Sequence, residues 1–222
     1  MEAICIIPAR GGSKGIPKKN LQKIGGCSLL EITVAKARLA GCFKEIVVST
    51  DCDEIAEEAH RVGAWAMDQP GASDDSMPES AEKYVLSQMT GFDIVARLFC
   101  TSPFRTRYDI FEPVRMIKTG EAAAVVSVTA PAHYPSQHVR MSGDGFYAGH
   151  MSRVWRQPRQ YWDDMRVLNG SVYVASMEHY ERFGFFSEYT KLYEMPQARS
   201  FDIDTMADLE EARRMHDLRF RS

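Results

Sequence analysis

Hydrophobic and polar positions along this chain keep exchanging two rhythms. An unbroken apolar run, Ile4-Cys5-Ile6-Ile7, opens it, as in a strand buried on both faces. A polar, Gly-rich stretch follows to residue 20. Ser28-Leu29-Leu30-Glu31 then reads as a capping box. The helix it opens has Leu29, Leu30, Val34, Ala37 and Leu39 on its apolar side and Gly41 as its stop. Residues 45–51 predict a second strand and its exit, Asp53 caps a helix over 54–62, and 64–67 form a short third strand. Polar residues 68–76 lead to Pro78 in the first turn of a helix ending near residue 89. A strand within 92–100 comes next, then a helix to 119 capped by Asp109, with Pro113 in or near its first turn, and Gly120 after it. Residues 122–128, 171–175 and 190–195 read as strands. Ser176 caps a short helix ended by Gly184, and a last helix runs over 206–218.

Strand and helix in alternation predict an α/β fold, a mostly parallel Rossmann-like sheet with helices on both faces. Ligands of such sheets bind beyond the carboxyl ends of the strands. The alternation breaks at 131–167, which is too long for a plain loop in a compact domain. It reads as an extended hairpin arm inserted in a single domain, 1–222. Trp155, Tyr161 and Trp162 are hard to bury in a lone arm, so a partner subunit is expected there.

Composition narrows the classes. A chain of 222 residues with 45% hydrophobic content supports one core. The net charge of -3 argues against a general nucleic-acid binder. No run approaches the ~18 apolar residues of a membrane span, and no signal peptide is read before Met1-Glu2. Five cysteines at scattered positions, with no C-x-x-C pair and no histidine cluster, suggest reduced thiols in the cytoplasm and no zinc site. The histidines read as surface groups, His60, His179 and His216 on helices and His133 and His138 in the arm.

Candidate chemistry sits at the ends of strands. Behind the first strand come Pro8, Ala9, Arg10, Gly11, Gly12, Ser13, Lys14, Gly15 and, after Pro17, Lys18, Lys19 and Asn20. Glycine lets backbone N–H groups turn toward an anion, and the cations add charge, so the loop is a plausible triphosphate cradle. It is neither a Walker A nor a dinucleotide fingerprint. Gly11-Gly12-Ser13-Lys14-Gly15 formally matches the nucleophile elbow of hydrolases, but no apolar helical period comes after it. A surface turn with solvated lysines is the plainer alternative. Ser49-Thr50-Asp51 falls on the same sheet edge, as a site element or as a helix cap. Asp202 and Asp204 face one way on an extended segment, and two hard oxygen donors with substrate phosphates suit magnesium. A cap by Asp204 or Thr205 would explain one of these residues and not the other.

The run from Ile7 to Asn20 resembles the signature of the acylneuraminate cytidylyltransferases, the CMP-sialic acid synthetases. The resemblance continues in order through Ser49-Thr50-Asp51, Thr101-Ser102-Pro103-Phe104-Arg105, Arg159-Gln160 with Asn169-Gly170, Phe185-Phe186 and Asp202-Ile203-Asp204-Thr205. It implies a nucleotidyltransferase fold with a protruding dimerisation arm at 131–167. It implies Arg10, Lys14 and Lys19 as catalytic residues, and Ala9, Gly11, Ser13, Asn20 and Asp75 at the nucleotide. Thr101, Arg159, Asn169, Phe185 and Phe186 would line the sugar-acid site, and Asp202 and Asp204 would hold Mg2+. Gln69 stands where the family has arginine, and Phe99 where it has a substrate-reaching glutamine. Arg105 is open between that loop role and a solvated one.

The function so implied is transfer of CMP from CTP to the anomeric hydroxyl of a nonulosonic, 2-keto-3-deoxy sugar acid with release of pyrophosphate, in a cytoplasmic homodimer. Three rivals stand beside it. One is a related enzyme using another nucleotide or 3-deoxy-manno-octulosonate. Another is a CTP-binding module without catalysis, and the last is an esterase-type hydrolase acting through Ser13.

Overall fold

The structure, a computed structural model, describes residues 1–13, 15–68, 78–131, 139–141, 147–150 and 165–220. In chain order the main elements are β1 (Ala3–Pro8), β2 (Lys23–Ile24), β3 (Cys27–Ser28), α1 (Leu29–Ala40), β4 (Glu45–Thr50), α2 (Asp53–Arg61), β5 (Trp65–Asp68), α3 (Pro78–Gln88) and β6 (Ile94–Leu98). They continue with α4 (Arg107–Lys118), β7 (Ala124–Thr129), β8 (Val139–Met141), β9 (Tyr147–His150), β10 (Val167–Ser176), α5 (Met177–Phe183), β11 (Thr190–Glu194) and α6 (Met206–Phe220).

Seven strands form one sheet in the order β11-β7-β10-β6-β1-β4-β5. β1, β4, β5 and β6 run parallel, and β11 is parallel to β7. Only β10 is antiparallel to its neighbours, with Val172 opposite Leu98 and Val174 opposite Val125. This reversal matters for the site. It brings the start of β10 to the edge where β6 and β7 end.

The apolar runs of the central strands bury both faces, as a covered parallel sheet requires. Cys5, Ile7, Val48, Ala96 and Leu98 face a core closed by α1, α2, α4 and α6. Ile4, Ile6, Val47 and Val95 face a smaller core with Val85 of α3 and Tyr180 of α5.

Local signals were mostly placed well. Ser28 caps α1, accepting from Glu31 N at 2.9 Å, and Gly41 closes the helix at φ 64°. The Glu31 carboxylate does not return the bond; it meets Arg61 at 2.8 Å instead. Two expected caps shift. Asp53 lies inside α2, whose cap is Cys52. Thr106, not Asp109, caps α4, while Asp109 completes the capping box from inside the first turn. Pro113 sits in the body of α4 rather than its first turn. His179, expected on the surface, is 7% exposed and packs 5.2 Å from the Phe183 ring.

Within the segment read as an arm, β8 and β9 pair as an antiparallel ladder. Trp155, Tyr161, Trp162, His133 and His138 lie outside the described residues. No helix among the described residues is long and apolar enough to cross a membrane.

Candidate active site

The first loop leaves β1 in the middle of the sheet, where strand order reverses direction. It is held from below. Ala9 N donates to Ser49 O at 2.9 Å, continuing the β1–β4 ladder by one bond. Gly11 N donates to Asp51 Oδ1 at 2.8 Å, and Asn20 Nδ2 reaches back to Arg10 O at 3.0 Å. Ser49-Thr50-Asp51 is therefore a strut for the loop, besides helping to start α2 through Thr50 Oγ1, which accepts from Cys52 N at 3.2 Å.

Two glycines are needed for space. A Cβ on Gly11 would stand 2.7 Å from Cys52 Cβ, and one on Gly15 would stand 2.6 Å from the Asp204 carbonyl oxygen. Lys18 takes the left-handed conformation, φ 48°, uncommon for a side-chain-bearing residue. Its amine pairs with Glu54 at 2.7 Å, and the turn delivers Lys19 to the opposite side. The chain then enters a short 3-10 turn, Lys19–Leu21, and not the helix that a nucleophile elbow requires.

Lys19 makes the decisive contact. Its Nζ donates to Ile203 O at 3.1 Å and lies 3.2 Å from Asp204 Oδ1. The Gly-rich loop near the start of the chain thus meets the acidic segment near its end. That segment is anchored independently. Ile203 N donates to Thr101 O at 3.0 Å. Burial pushes the Asp202 carboxyl above the usual range, and the Asp204 charge adds to it against Thr101 and Lys19.

The cap of α6 is settled by its neighbours. Thr205 Oγ1 accepts from Asp208 N at 3.2 Å, and Asp208 Oδ2 accepts from Thr205 N at 2.7 Å. Thr205 and Asp208 therefore do the capping and leave the Asp202 and Asp204 carboxylates to other work. Among the described residues no group of three or more His, Cys, Asp or Glu gathers as a metal cage. Two carboxylates at a mutual electrostatic cost, open toward a cationic loop, fit a divalent ion completed by phosphate oxygens and water.

The start of β10 closes the site on its other side. Asn169 is 5% exposed, and its amide is used inside the protein. Its Oδ1 accepts from Ser127 Oγ at 2.6 Å and Ser171 N at 3.2 Å, and its Nδ2 donates to Ser200 Oγ at 2.9 Å. Asn169 thus joins β7, β10 and the segment leading to Asp202. Gly170, at φ 63°, brings backbone against Asp202, where a Cβ would lie 3.5 Å from Oδ2. Arg105, open between loop and solvent by sequence, is fully buried. It donates to the carbonyls of Phe99 and Ser171, and burial pushes its pKa down to about 10. It is a strut under the site.

Phe185 is buried and Phe186 half-exposed, each 5.9 Å from the Tyr173 ring. Tyr173 also meets Phe99 edge-on at 5.9 Å. Sequence reasoning passed over Tyr173 because a tyrosine in an apolar strand carries no signal of its own. Arg10, Gly11 and Ser13 are half-buried on the loop. Lys14, Asp75, Gln69 and Arg159 lie outside the described residues.

Comparison with known proteins shows the family and the fold. A family model described as cytidylyltransferase matches residues 4–220. An N-acylneuraminate cytidylyltransferase of Escherichia coli is 33% identical over 215 residues, 93% of this chain and 50% of that protein. A CMP-N,N'-diacetyllegionaminic acid synthase of Legionella pneumophila is 34% identical over 220 residues, 94% of this chain and 93% of that protein. A solved CMP:2-keto-3-deoxy-manno-octonic acid synthetase complexed with CTP superposes with a TM-score of 0.74 at 17% identity. The match covers 99% of this chain and 100% of that one, and at such identity it speaks for the fold. The chain spans about half the length of the N-acylneuraminate relatives and most of the Legionella protein.

Proposed function

This chain belongs to the cytidylyltransferase family, and from that premise we propose that it transfers CMP from CTP to the anomeric hydroxyl of a nonulosonic, sialic-acid-like 2-keto-3-deoxy sugar acid, releasing pyrophosphate. The observation that carries the reading is the Lys19 contact with Asp204, which joins a phosphate-type loop to a pair of carboxylates.

In this reading the sugar hydroxyl attacks the α-phosphorus in line and pyrophosphate leaves. Positioning and charge neutralisation supply most of the acceleration. Arg10, Lys14 and Lys19 hold the triphosphate, with Ala9, Gly11, Ser13 and Asn20 shaping the loop and Asp75 assigned to the base. Because Ala9 N and Gly11 N are bonded to Ser49 and Asp51, loop geometry rather than those two donors is their contribution. Asp202 and Asp204 would hold Mg2+, which when bound neutralises phosphate charge and lowers the pKa of a coordinated hydroxyl. Thr101 holds the acidic segment through its carbonyl, which accepts from Ile203 N, and Lys19 keeps Asp204 turned toward the loop.

Arg159 is assigned to the sugar carboxylate, for which a guanidinium fork is suited. Phe186, half-exposed, is assigned to the sugar wall, while Phe185, expected to line it, is buried and backs it together with Asn169. A homodimer through 131–167 belongs to the same reading, supported by the length and aromatic content of that segment. So does a cytoplasmic setting, supported by five unpaired cysteines.

Asp202→Asn and Asp204→Asn test the core of the reading. Each should cut pyrophosphate release at least ~100-fold, the scale of losing one charge-stabilising group, and abolish saturation by magnesium. Unchanged rates and magnesium dependence in folded variants would remove both aspartates from the chemistry.

A further inference from the structure

Arg97 belongs to none of the loops above. It lies on β6 in an otherwise apolar run and is 3% exposed. Glu82 accepts from its Nε and Nη2, and Glu79 Oε1 accepts from Nη2 at 2.9 Å. Tyr180 donates its hydroxyl to the same Glu82. The guanidinium carbon stands 4.9 Å from the Phe185 ring centroid, 5.3 Å from Tyr173 and 5.6 Å from Phe99.

A buried ion pair is a poor way to stabilise a core, since apolar residues of equal volume often serve better. Its position suggests another use. The chain of β6 runs on through Phe99 to Thr101, whose carbonyl accepts from Ile203 N at 3.0 Å, beside Asp202. Glu79 and Glu82 lie on α3, which begins directly after the segment assigned to the nucleotide base. The Tyr173 ring lies 5.3 Å from the Arg97 guanidinium carbon and 5.9 Å from both the Phe185 and Phe186 rings, so it links the ion cluster to the aromatic pair.

We propose that Arg97 is a positioning residue for the acceptor: its planar guanidinium, clamped edgewise by Glu79 and Glu82, sets the rings of Tyr173, Phe185 and Phe99 and so the wall against which the sugar acid rests. Only the guanidinium combines a flat face for aromatic contact with a fork for two carboxylates. Lysine keeps the charge and loses both. The inference rests on the sugar-acid reading above and adds to it the residue that shapes the acceptor side.

Two variants test it. Arg97→Lys keeps the charge. The double variant Arg97→Met with Glu82→Gln removes the two buried charges and leaves Glu79, whose side chain is 39% exposed, to be met by water. KM for the sugar acid, KM for CTP, kcat and the thermal midpoint are measured for each. In both, acceptor KM should rise about tenfold, equivalent to about 1.4 kcal/mol, while CTP KM stays within about twofold. An unchanged acceptor KM overturns the inference. So does a rise of both KM values by the same factor with a fall in kcat and in the thermal midpoint, the mark of a merely structural ion pair. If the double variant does not fold, Arg97→Lys decides alone. Absence of pyrophosphate release by the unmodified protein with every acid refutes the transferase reading, and the inference with it. An active protein indifferent to Arg97→Lys refutes only the role of Arg97.

Discussion

Replacing Asp109 by alanine tests how the acidic segment is held. Asp109 is fully buried at the first turn of α4. It accepts from Thr106 N at 2.7 Å and Thr106 Oγ1 at 2.8 Å, and from Arg199 through two bonds of 2.9 Å. Arg199 stands three residues before Asp202, so this pair ties the approach to the site onto α4. Loss of the capping interaction costs about 1 kcal/mol. Breaking a buried pair costs ~3–5 kcal/mol, but the Arg199 side chain is 34% exposed and can turn to water, so about 2 kcal/mol is the fitting share. The sum, about 3 kcal/mol, lowers the thermal midpoint by about 6–12 °C for a chain of this size. Circular dichroism melting at neutral pH measures it. A shift below about 3 °C would refute the claim that Asp109 anchors this segment. The penalty also has a pH signature. Burial alone would raise the Asp109 carboxyl, but Arg199 and the Thr106 donors outweigh it and hold the carboxyl below the usual range. Its stabilisation is thus present in full above the unfolded carboxylate pKa of about 3.9 and is lost as pH falls through the lower folded value. The difference between Asp109→Asn and the unmodified protein should shrink over that window, and a constant difference down to pH ~2 would contradict the sign.

The loops carry further expected outcomes. Lys14→Ala should cut turnover at least ~100-fold in a folded protein, and retained activity would take Lys14 out of the triphosphate site. Gly15→Ala places a Cβ 2.6 Å from the Asp204 carbonyl. It should raise the half-saturating magnesium concentration about tenfold with a melting change of less than about 3 °C, since both loops lie at the surface. Asp51→Ala removes the acceptor for Gly11 N, 2.8 Å away, and should raise KM for CTP about tenfold with little change in KM for the sugar acid.

The strand–helix alternation was readable because each apolar run is short and each helix has its own cap and stop, as Ser28 and Gly41 show for α1. The direction of β10 was not, because the 131–167 segment separates it from β7 and no local signal states which way a strand returns. Thr106 and Asp109 are both good caps, and the choice was made by Arg199, 90 residues away. Asn169 looked like a ligand contact, but its partners Ser127 and Ser200 lie 42 and 31 residues off, so sequence spacing could not show that its amide is spent internally. Arg105 was open between loop and solvent, and its burial follows from two backbone carbonyls that only the folded sheet edge brings together. The clue to Arg97 was present, a cation inside Ile94-Val95-Ala96-Arg97-Leu98 with Glu79 and Glu82 spaced for one helix face. The pairing of the first loop with Asp202 and Asp204 was legible as chemistry, and the Lys19–Asp204 contact is its spatial counterpart.

Pyrophosphate release from CTP and magnesium, measured across a panel of sialic, legionaminic, pseudaminic and 3-deoxy-octulosonic acids with UTP, ATP and GTP as controls, tests the central claim most directly. Release with CTP and a nonulosonic acid, and none with the other nucleotides, is the predicted result. Release only with 3-deoxy-octulosonate, or with another nucleotide, would contradict the assigned substrates. Absence of both release and CTP binding would contradict the assignment of the Gly-rich loop.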